Sequence, residues 1–209
     1  MDGAGLNRGT SGNVSLRCGD GFLITPTGMP YDSLTPEDIV TVAMDGTPRG
    51  LRTPSSEWRL HRDILRARPD LQAVVHTHAT HCTAVAILGL PIPALHYAIA
   101  AAGGEDIRCA GYALFGSQAL ADAVVAALEG RRACLMAHHG MVACHSSPER
   151  ALALAGTVEE LARLFLLCRA TGPVPTLSAP QMAEVLERFR TYGQQDRPQD
   201  SLQDTPRRA

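Results

Sequence analysis

Short strand signals alternate with helical stretches along most of the chain, and tight-turn residues separate neighbouring strands. Residues 14–17 and 21–25 read as two strands around Gly19-Asp20-Gly21. Thr25-Pro26-Thr27-Gly28 is a further turn. Residues 34–38 suggest a brief helical turn leading to a strand over 39–43, and Asp45-Gly46 is a hairpin signal. Pro54-Ser55-Ser56-Glu57 opens a helix running to about Arg68, with a serine N-cap, an early acid and late arginines. An apolar strand over 73–75 leads straight into His76. Helical patterns follow over 81–88, 117–128, 148–170 and 180–191, with strand signals over 92–97 and 133–137. This intermixing favours a mixed sheet covered by helices on its faces over a purely parallel wound sheet.

The 209 residues suit one domain, expected over 1–193, and bury a substantial core. Residues 194–209 are polar, rich in Gln, Asp, Arg and Pro, and are expected to form a disordered tail. A net charge of −2 gives no electrostatic footprint for nucleic acid or an anionic membrane. No apolar run approaches the roughly 20 residues of a membrane span, and the start lacks a basic-then-apolar signal segment. A cytoplasmic location is therefore expected. The six cysteines form no C-x-x-C pair and read as reduced, packed thiols.

One absence limits the chemistry. All 19 basic residues are arginine, and the chain contains no lysine. Schiff-base catalysis is excluded, and with it lysine-tethered pyridoxal phosphate and an ordinary P-loop. Any carbonyl chemistry must polarise the carbonyl without an imine.

Metal ligation is the available alternative. His76 and His78 are separated by one residue at a strand end, so both side chains share one face and can converge on one ion. A second candidate strand ends in His138-His139-Gly140, where adjacent residues face opposite ways and only one histidine should join the site. Local sequence does not choose between them. Three histidines with an open fourth position form a catalytic rather than a structural arrangement. His76, His78 and His81 also echo a hydrolase His-x-His-x-Asp-His pattern, but Thr80 stands at the acid position. His61, His96 and His145 have no spacing argument and read as structural or surface residues.

Three segments offer backbone N–H groups and hydroxyls to an anion: Gly9-Thr10-Ser11-Gly12-Asn13, Thr25-Pro26-Thr27-Gly28, and Ser55-Ser56 at a helix start. Neutral donors of this kind let a lysine-free chain hold a phosphate. Glu57 adjoins the serines. It is either a partner of the helix dipole or a base set between phosphate and metal.

Taken with Val75-His76-Thr77-His78 and His138-His139-Gly140, these motifs resemble the class II aldolase/adducin family in order and content. The resemblance runs from about Leu6 to Gly193. Ser55-Ser56-Glu57-Trp58-Arg59, the stretch 99–104 and Phe189-Arg190-Thr191-Tyr192-Gly193 resemble its fuculose-phosphate branch more closely. It implies a three-layer α/β/α fold with a mostly antiparallel central sheet, assembled as a homotetramer with sites at subunit interfaces. It implies one zinc ion per subunit on His76, His78 and His139, with Glu57 as a resting ligand and acid/base in turnover. Gly12, Asn13, Thr27, Gly28, Ser55 and Ser56 match phosphate-binding positions. Tyr97 matches a tyrosine that serves the aldehyde oxygen of a neighbouring subunit, Tyr192 one that closes over that site, and Phe115 an aromatic of the aldehyde pocket. The implied reaction is retro-aldol cleavage of a ketose 1-phosphate to dihydroxyacetone phosphate and an aldehyde. On the same scaffold the alternatives are a rhamnulose-phosphate aldolase, a ribulose-5-phosphate 4-epimerase, a methylthioribulose-phosphate dehydratase and a noncatalytic adducin-like module. The family normally carries a helix before the segment matching Leu6, whereas this chain starts almost at that motif, so any departure is expected in stability and packing rather than chemistry.

Overall fold

The computed structural model describes residues 1–7 and 9–191, which form eight strands and five α-helices. In chain order these are β1 (Asn13–Cys18), β2 (Gly21–Ile24), β3 (Val40–Ala43), β4 (Pro48–Arg49), α1 (Trp58–Ala67), β5 (Ala73–Thr77), α2 (Thr80–Ile87), β6 (Arg108–Ala110), α3 (Gln118–Ala127), β7 (Ala133–Met136), β8 (Gly140–His145), α4 (Pro148–Arg169) and α5 (Ala179–Phe189). The expected hairpins form: Gly19-Asp20 turns β1 into β2, and Asp45-Gly46 lies between β3 and β4. One sheet results, in the order β4-β3-β2-β1-β5-β8-β7-β6. Every pairing is antiparallel except β6 with β7.

Side-chain alternation along the central strands assigns the two faces. Ala73 and Val75 of β5 and Met141 and Ala143 of β8 pack in a core with α2, α4 and Met182 of α5. Val74, Val142 and Cys144 point the other way, onto Leu60 and Ile64 of α1 and Leu120 and Val124 of α3. Helices on both faces give the expected three-layer α/β/α arrangement. All five residues of β5 are buried, because a strand covered on both faces shows a continuous apolar run instead of alternation.

Several local readings change. The segment 92–97 is not a strand. Only Ile92 bridges, to Ile107, and Pro91 and Pro93 on either side have no N–H to extend a ladder. The chain instead enters a 3₁₀ helix, Tyr97–Ala102, whose Ala98 N–H donates to His96 Nδ1 at 3.2 Å. Strands β6 and β8 were not anticipated. β6 is too short to show a pattern, and β8 follows at once on a motif that reads as a strand end. Cys82, Cys134 and Cys144 are buried as expected, whereas Cys18 and Cys168 are exposed. The proposed tail, residues 194–209, lies outside the described residues, and among those described no helix is long and apolar enough to cross a membrane.

Candidate active site

The sheet's centre brings distant segments to one end. Asn13, the first residue of β1, is paired across the ladder with His76 of β5. His78 lies one residue past β5, and β8 runs antiparallel beside it, with Thr77 opposite Met141. The β7–β8 turn therefore sets His139 beside His76 and His78. The three rings meet edge to face with centroids 4.9–5.0 Å apart. One nitrogen from each lies within 4.8 Å of the others.

The choice between His138 and His139 is made by the turn, not by strand alternation. β7 ends at Met136 and β8 starts at Gly140, so both histidines are turn residues. His138 has φ +56°, a left-handed conformation that directs its ring to Tyr112, at a centroid distance of 6.1 Å. Gly140 is required where it stands, since a Cβ there would strike the Thr77 carbonyl oxygen.

The donor set fits a divalent cation. His76 Nδ1 lies 2.9 Å from the Met141 carbonyl oxygen, so Nδ1 carries the hydrogen and Nε2 offers a lone pair. That Nε2 lies 3.0 Å from His78 Nε2 and 3.1 Å from Glu57 Oε2. Ligands at zinc distances in a tetrahedron sit about 3.3 Å apart. Glu57 Oε1 is buried, accepts no hydrogen bond and is 3.3 Å from His139 Nε2. Acceptors gathered this closely, one with no hydrogen-bond partner, are what a shared cation satisfies. Burial opposes ionisation of Glu57, but His76 and His139 in their protonated forms, together with the Asn13 amide, outweigh it and hold the carboxyl well below its usual range. Burial, reinforced by His76 and His139, pushes His78 down to about 4, and burial with His76 lowers His139. Both therefore keep lone pairs free at neutral pH, as ligation requires.

Beside this cluster lies a pocket of about 370 Å³. Gly12, Asn13, Thr27, Gly28, Ser55, Ser56, Glu57, His78, His139 and Phe115 all line it. His76 sits fully buried behind them. The serine cap expected for α1 is not made. Glu57 itself occupies the N-cap position without a side-chain cap bond, and Ser55 Oγ accepts from the Glu57 N–H at 3.3 Å. The hydroxyl thus fixes the turn that presents Glu57. Tyr97 does not line its own chain's pocket. It is 56% exposed and stands near Phe189, with ring centroids 6.5 Å apart, while Tyr192 lies outside the described residues.

Further residues complete the site, among them Tyr112, Ala113, Leu114, Asn7 and Tyr31, which the sequence did not single out. Tyr112, Ala113 and Leu114 form an apolar wall with Phe115, and Thr10, Ser11 and His138 complete the rim. Asn7 ties the anion loop to the histidines: Nδ2 donates to the Ser11 carbonyl at 2.7 Å, and Oδ1 accepts from the His78 N–H at 3.2 Å. Tyr31 donates to the Gly12 carbonyl at 2.6 Å. His61 is fully buried, with Nε2 on Asn13 Oδ1 and Nδ1 2.7 Å from Ser15 Oγ. Its place four residues after Glu57, on the same side of α1, was the available signal. His81, in the first turn of α2, is held by Glu159 of α4 at 2.7 Å and takes no part in the cluster.

A helix-covered antiparallel sheet with three histidines and a carboxylate at its centre defines a metalloenzyme scaffold. The model of the class II aldolase and adducin N-terminal domain matches residues 1–166, and the chain belongs to the class II aldolase and adducin family. It is 55% identical to L-fuculose phosphate aldolase of Escherichia coli O6:H1 over 194 residues, 92% of this chain and 90% of that one. To the 5-methylthioribulose-1-phosphate/5-deoxyribulose-1-phosphate aldolase of Rhodospirillum rubrum it is 53% identical over 189 residues, 90% and 86% of the two chains. A solved L-fuculose 1-phosphate aldolase superposes with a TM-score of 0.86 at 37% identity, covering 88% of each chain. The protein is a metal-dependent class II aldolase, a lyase with a three-histidine metal site.

Proposed function

We propose that this enzyme cleaves a ketose 1-phosphate between C3 and C4, giving dihydroxyacetone phosphate and an aldehyde, with L-fuculose 1-phosphate the first substrate and L-lactaldehyde its second product. The observation that carries this reading is one pocket that joins the histidine cluster, a carboxylate with an unpartnered oxygen, and three hydroxyl-rich loops. Zinc, one ion per subunit on His76, His78 and His139 with Glu57 as resting ligand, would supply Lewis-acid stabilisation of the charge that develops on the ketose oxygens.

The remaining roles fall to the chain. The phosphate is held by neutral donors: the Asn13 amide, the Thr27, Ser55 and Ser56 hydroxyls, and backbone N–H groups at Gly12 and Gly28. Glu57 moves the proton at C3, from its position between these donors and the histidines. Phe115 shapes the aldehyde end. Tyr97 handles the proton on the departing aldehyde oxygen. It is half-exposed and stands away from its own chain's pocket, so this role requires a neighbouring subunit, in a homotetramer whose Tyr192 closes over the site.

A second substrate reading has its own support. Sequence identity to the Rhodospirillum rubrum relative, which acts on 5-methylthioribulose 1-phosphate or 5-deoxyribulose 1-phosphate, is nearly equal to that of the fuculose-phosphate relative. The wall of Ala113, Leu114 and Phe115 suits a methyl or methylthio terminus as well as the methyl of fuculose. The test is triose-phosphate release from each sugar by zinc-loaded protein, with and without a chelator. Chelator-sensitive release supports the reading, and the ratio of kcat/KM values names the substrate. No release from any of the three would overturn it and favour an epimerase or dehydratase, which release no triose.

A further inference from the structure

Behind Glu57 lies a buried chain of hydrogen bonds with no role in the reaction as described so far. Glu57 Oε2 is 2.9 Å from Asn13 Nδ2. A carboxylate only accepts, so the amide must turn its NH₂ to Glu57 and its Oδ1 away. Oδ1 also only accepts, so the His61 Nε2 that meets it carries the hydrogen. A neutral imidazole then accepts at Nδ1, where the Ser15 hydroxyl stands at 2.7 Å. The donors therefore run one way: Ser15 to His61, His61 to Asn13, Asn13 to Glu57. Ser15, His61, Asn13 and Glu57 are all buried, so water does not substitute for a missing link. Burial, with the nearby His76, pushes His61 down to about 3, so the ring stays neutral and keeps this single tautomer.

The Glu57 carboxylate is thereby anchored from behind: Oε2 is tied to the Asn13 amide, while both oxygens face the histidine cluster, Oε2 at 3.1 Å from His76 Nε2 and Oε1 at 3.3 Å from His139 Nε2. We propose that His61 is a positioning residue for the proton transfer. Through Asn13 it anchors Oε2 and so holds the Glu57 carboxylate in one orientation for the transfer at C3. Without His61 the Asn13 amide loses the partner that sets its orientation, and a flipped amide would set its own oxygen against the carboxylate. The inference rests on the reading of Glu57 as the proton carrier.

The half-reaction to follow is hydrogen exchange at C3 of dihydroxyacetone phosphate in D₂O, with zinc-loaded enzyme and no aldehyde. Glu57 takes the C3 proton, the C–H electron pair passes into the C2–C3 enediolate, the acid exchanges its proton for a solvent deuteron, and the deuteron returns to C3. His61→Leu fills similar volume without a donor. His61→Gln places an amide N–H near the site of Nε2. The leucine variant should exchange about 10–100-fold more slowly at saturation with half-saturation little changed, and the glutamine variant should recover to within about threefold of wild type. Nitrogen-15 NMR of the metal-free protein gives a readout independent of turnover. It should show His61 as the Nε2–H tautomer, neutral at pH 5. Wild-type exchange matched by the leucine variant, or an Nδ1–H tautomer, overturns the inference while leaving the aldolase reading intact. Should the leucine variant not fold, a glutamine variant as slow as an unanchored carboxylate would be, or the wrong tautomer, overturns it equally. Wild-type protein that neither exchanges the C3 proton nor releases triose phosphate would instead overturn the reading on which the inference rests.

Discussion

Gly12→Ala tests whether the anion loop and the histidine strand are wedged together through Asn7. Gly12 has φ +75°, and an ideal Cβ there would overlap the Asn7 amide and lie 2.6 Å from the His76 carbonyl oxygen. Holding alanine in the left-handed region costs about 1–2 kcal/mol. The methyl must also displace the Asn7 amide from its bonds to the Ser11 carbonyl and the His78 N–H. Losing both, at about 1 kcal/mol each, brings the total to about 3–4 kcal/mol. Gly9 supplies the control, with φ +66° and no heavy atom within 4 Å of its ideal Cβ. Gly9→Ala therefore carries only the backbone cost of about 1–2 kcal/mol. At about 2–4 °C per kcal/mol for a chain of this size, Gly12→Ala should melt about 6–16 °C lower and Gly9→Ala about 2–8 °C lower. Thermal denaturation of the zinc-loaded proteins measures both, and triose-phosphate release should show kcat/KM falling further in Gly12→Ala, where the backbone anchor of His78 is lost. Equal melting losses in the two variants would refute the steric argument.

Metal removal should lower stability as well as activity: an ion bound only by the folded state at 1,000 times its dissociation constant adds about 4 kcal/mol, read as a drop in melting temperature on chelation and its return with zinc. His139→Ala should lose stoichiometric zinc by elemental analysis while His138→Ala keeps it; the reverse result would assign the ligand wrongly. Tyr97→Phe should abolish triose-phosphate release yet retain C3 hydrogen exchange, and loss of both would place the hydroxyl in a different step. Glu159 accepts from the His81 and Cys82 N–H groups at 2.9 Å each. Burial alone would raise its carboxyl, but these bonds outweigh burial and lower it. Its contribution is therefore complete above the unfolded value, about 4.3, and disappears as pH falls through the lower folded value. Glu159→Gln should accordingly be about 1–3 kcal/mol less stable at pH 7, with the gap to wild type narrowing by pH 3 in urea titrations; a constant gap would argue against the ionised cap.

What the sequence disclosed and what it concealed divide along physical lines. Local chemistry was readable: His76 and His78 at a strand end, Gly19-Asp20 and Asp45-Gly46 at turns, and hydroxyls gathered before Glu57. Features that depend on distant pairing were not. β8 reads as the continuation of a motif until β5 is seen beside it, and β6 has three residues and one neighbour. His139 prevails over His138 because of a left-handed turn residue that no alternation rule predicts. Asn7 and His61 reach their partners only across the folded sheet, although His61 lay one helical turn from Glu57. The serines were expected to cap α1, yet Glu57 occupies that position and the serines line the pocket instead.

The order of the sheet also has a kinetic consequence. His76 lies in β5 and His78 just past its end, and His139 in the turn before β8, with α2, β6, α3 and β7 intervening along the chain. No ion can be gripped by all three rings until β8 has closed against β5 at the sheet's centre, a long-range pairing of the kind that forms slowly. The metal is therefore a passenger that boards a nearly finished structure, not a template for it. Departure does not retrace that route: His78 is exposed and His139 only half-buried on the wall of the pocket, so a bound ion faces solvent while the sheet stays closed.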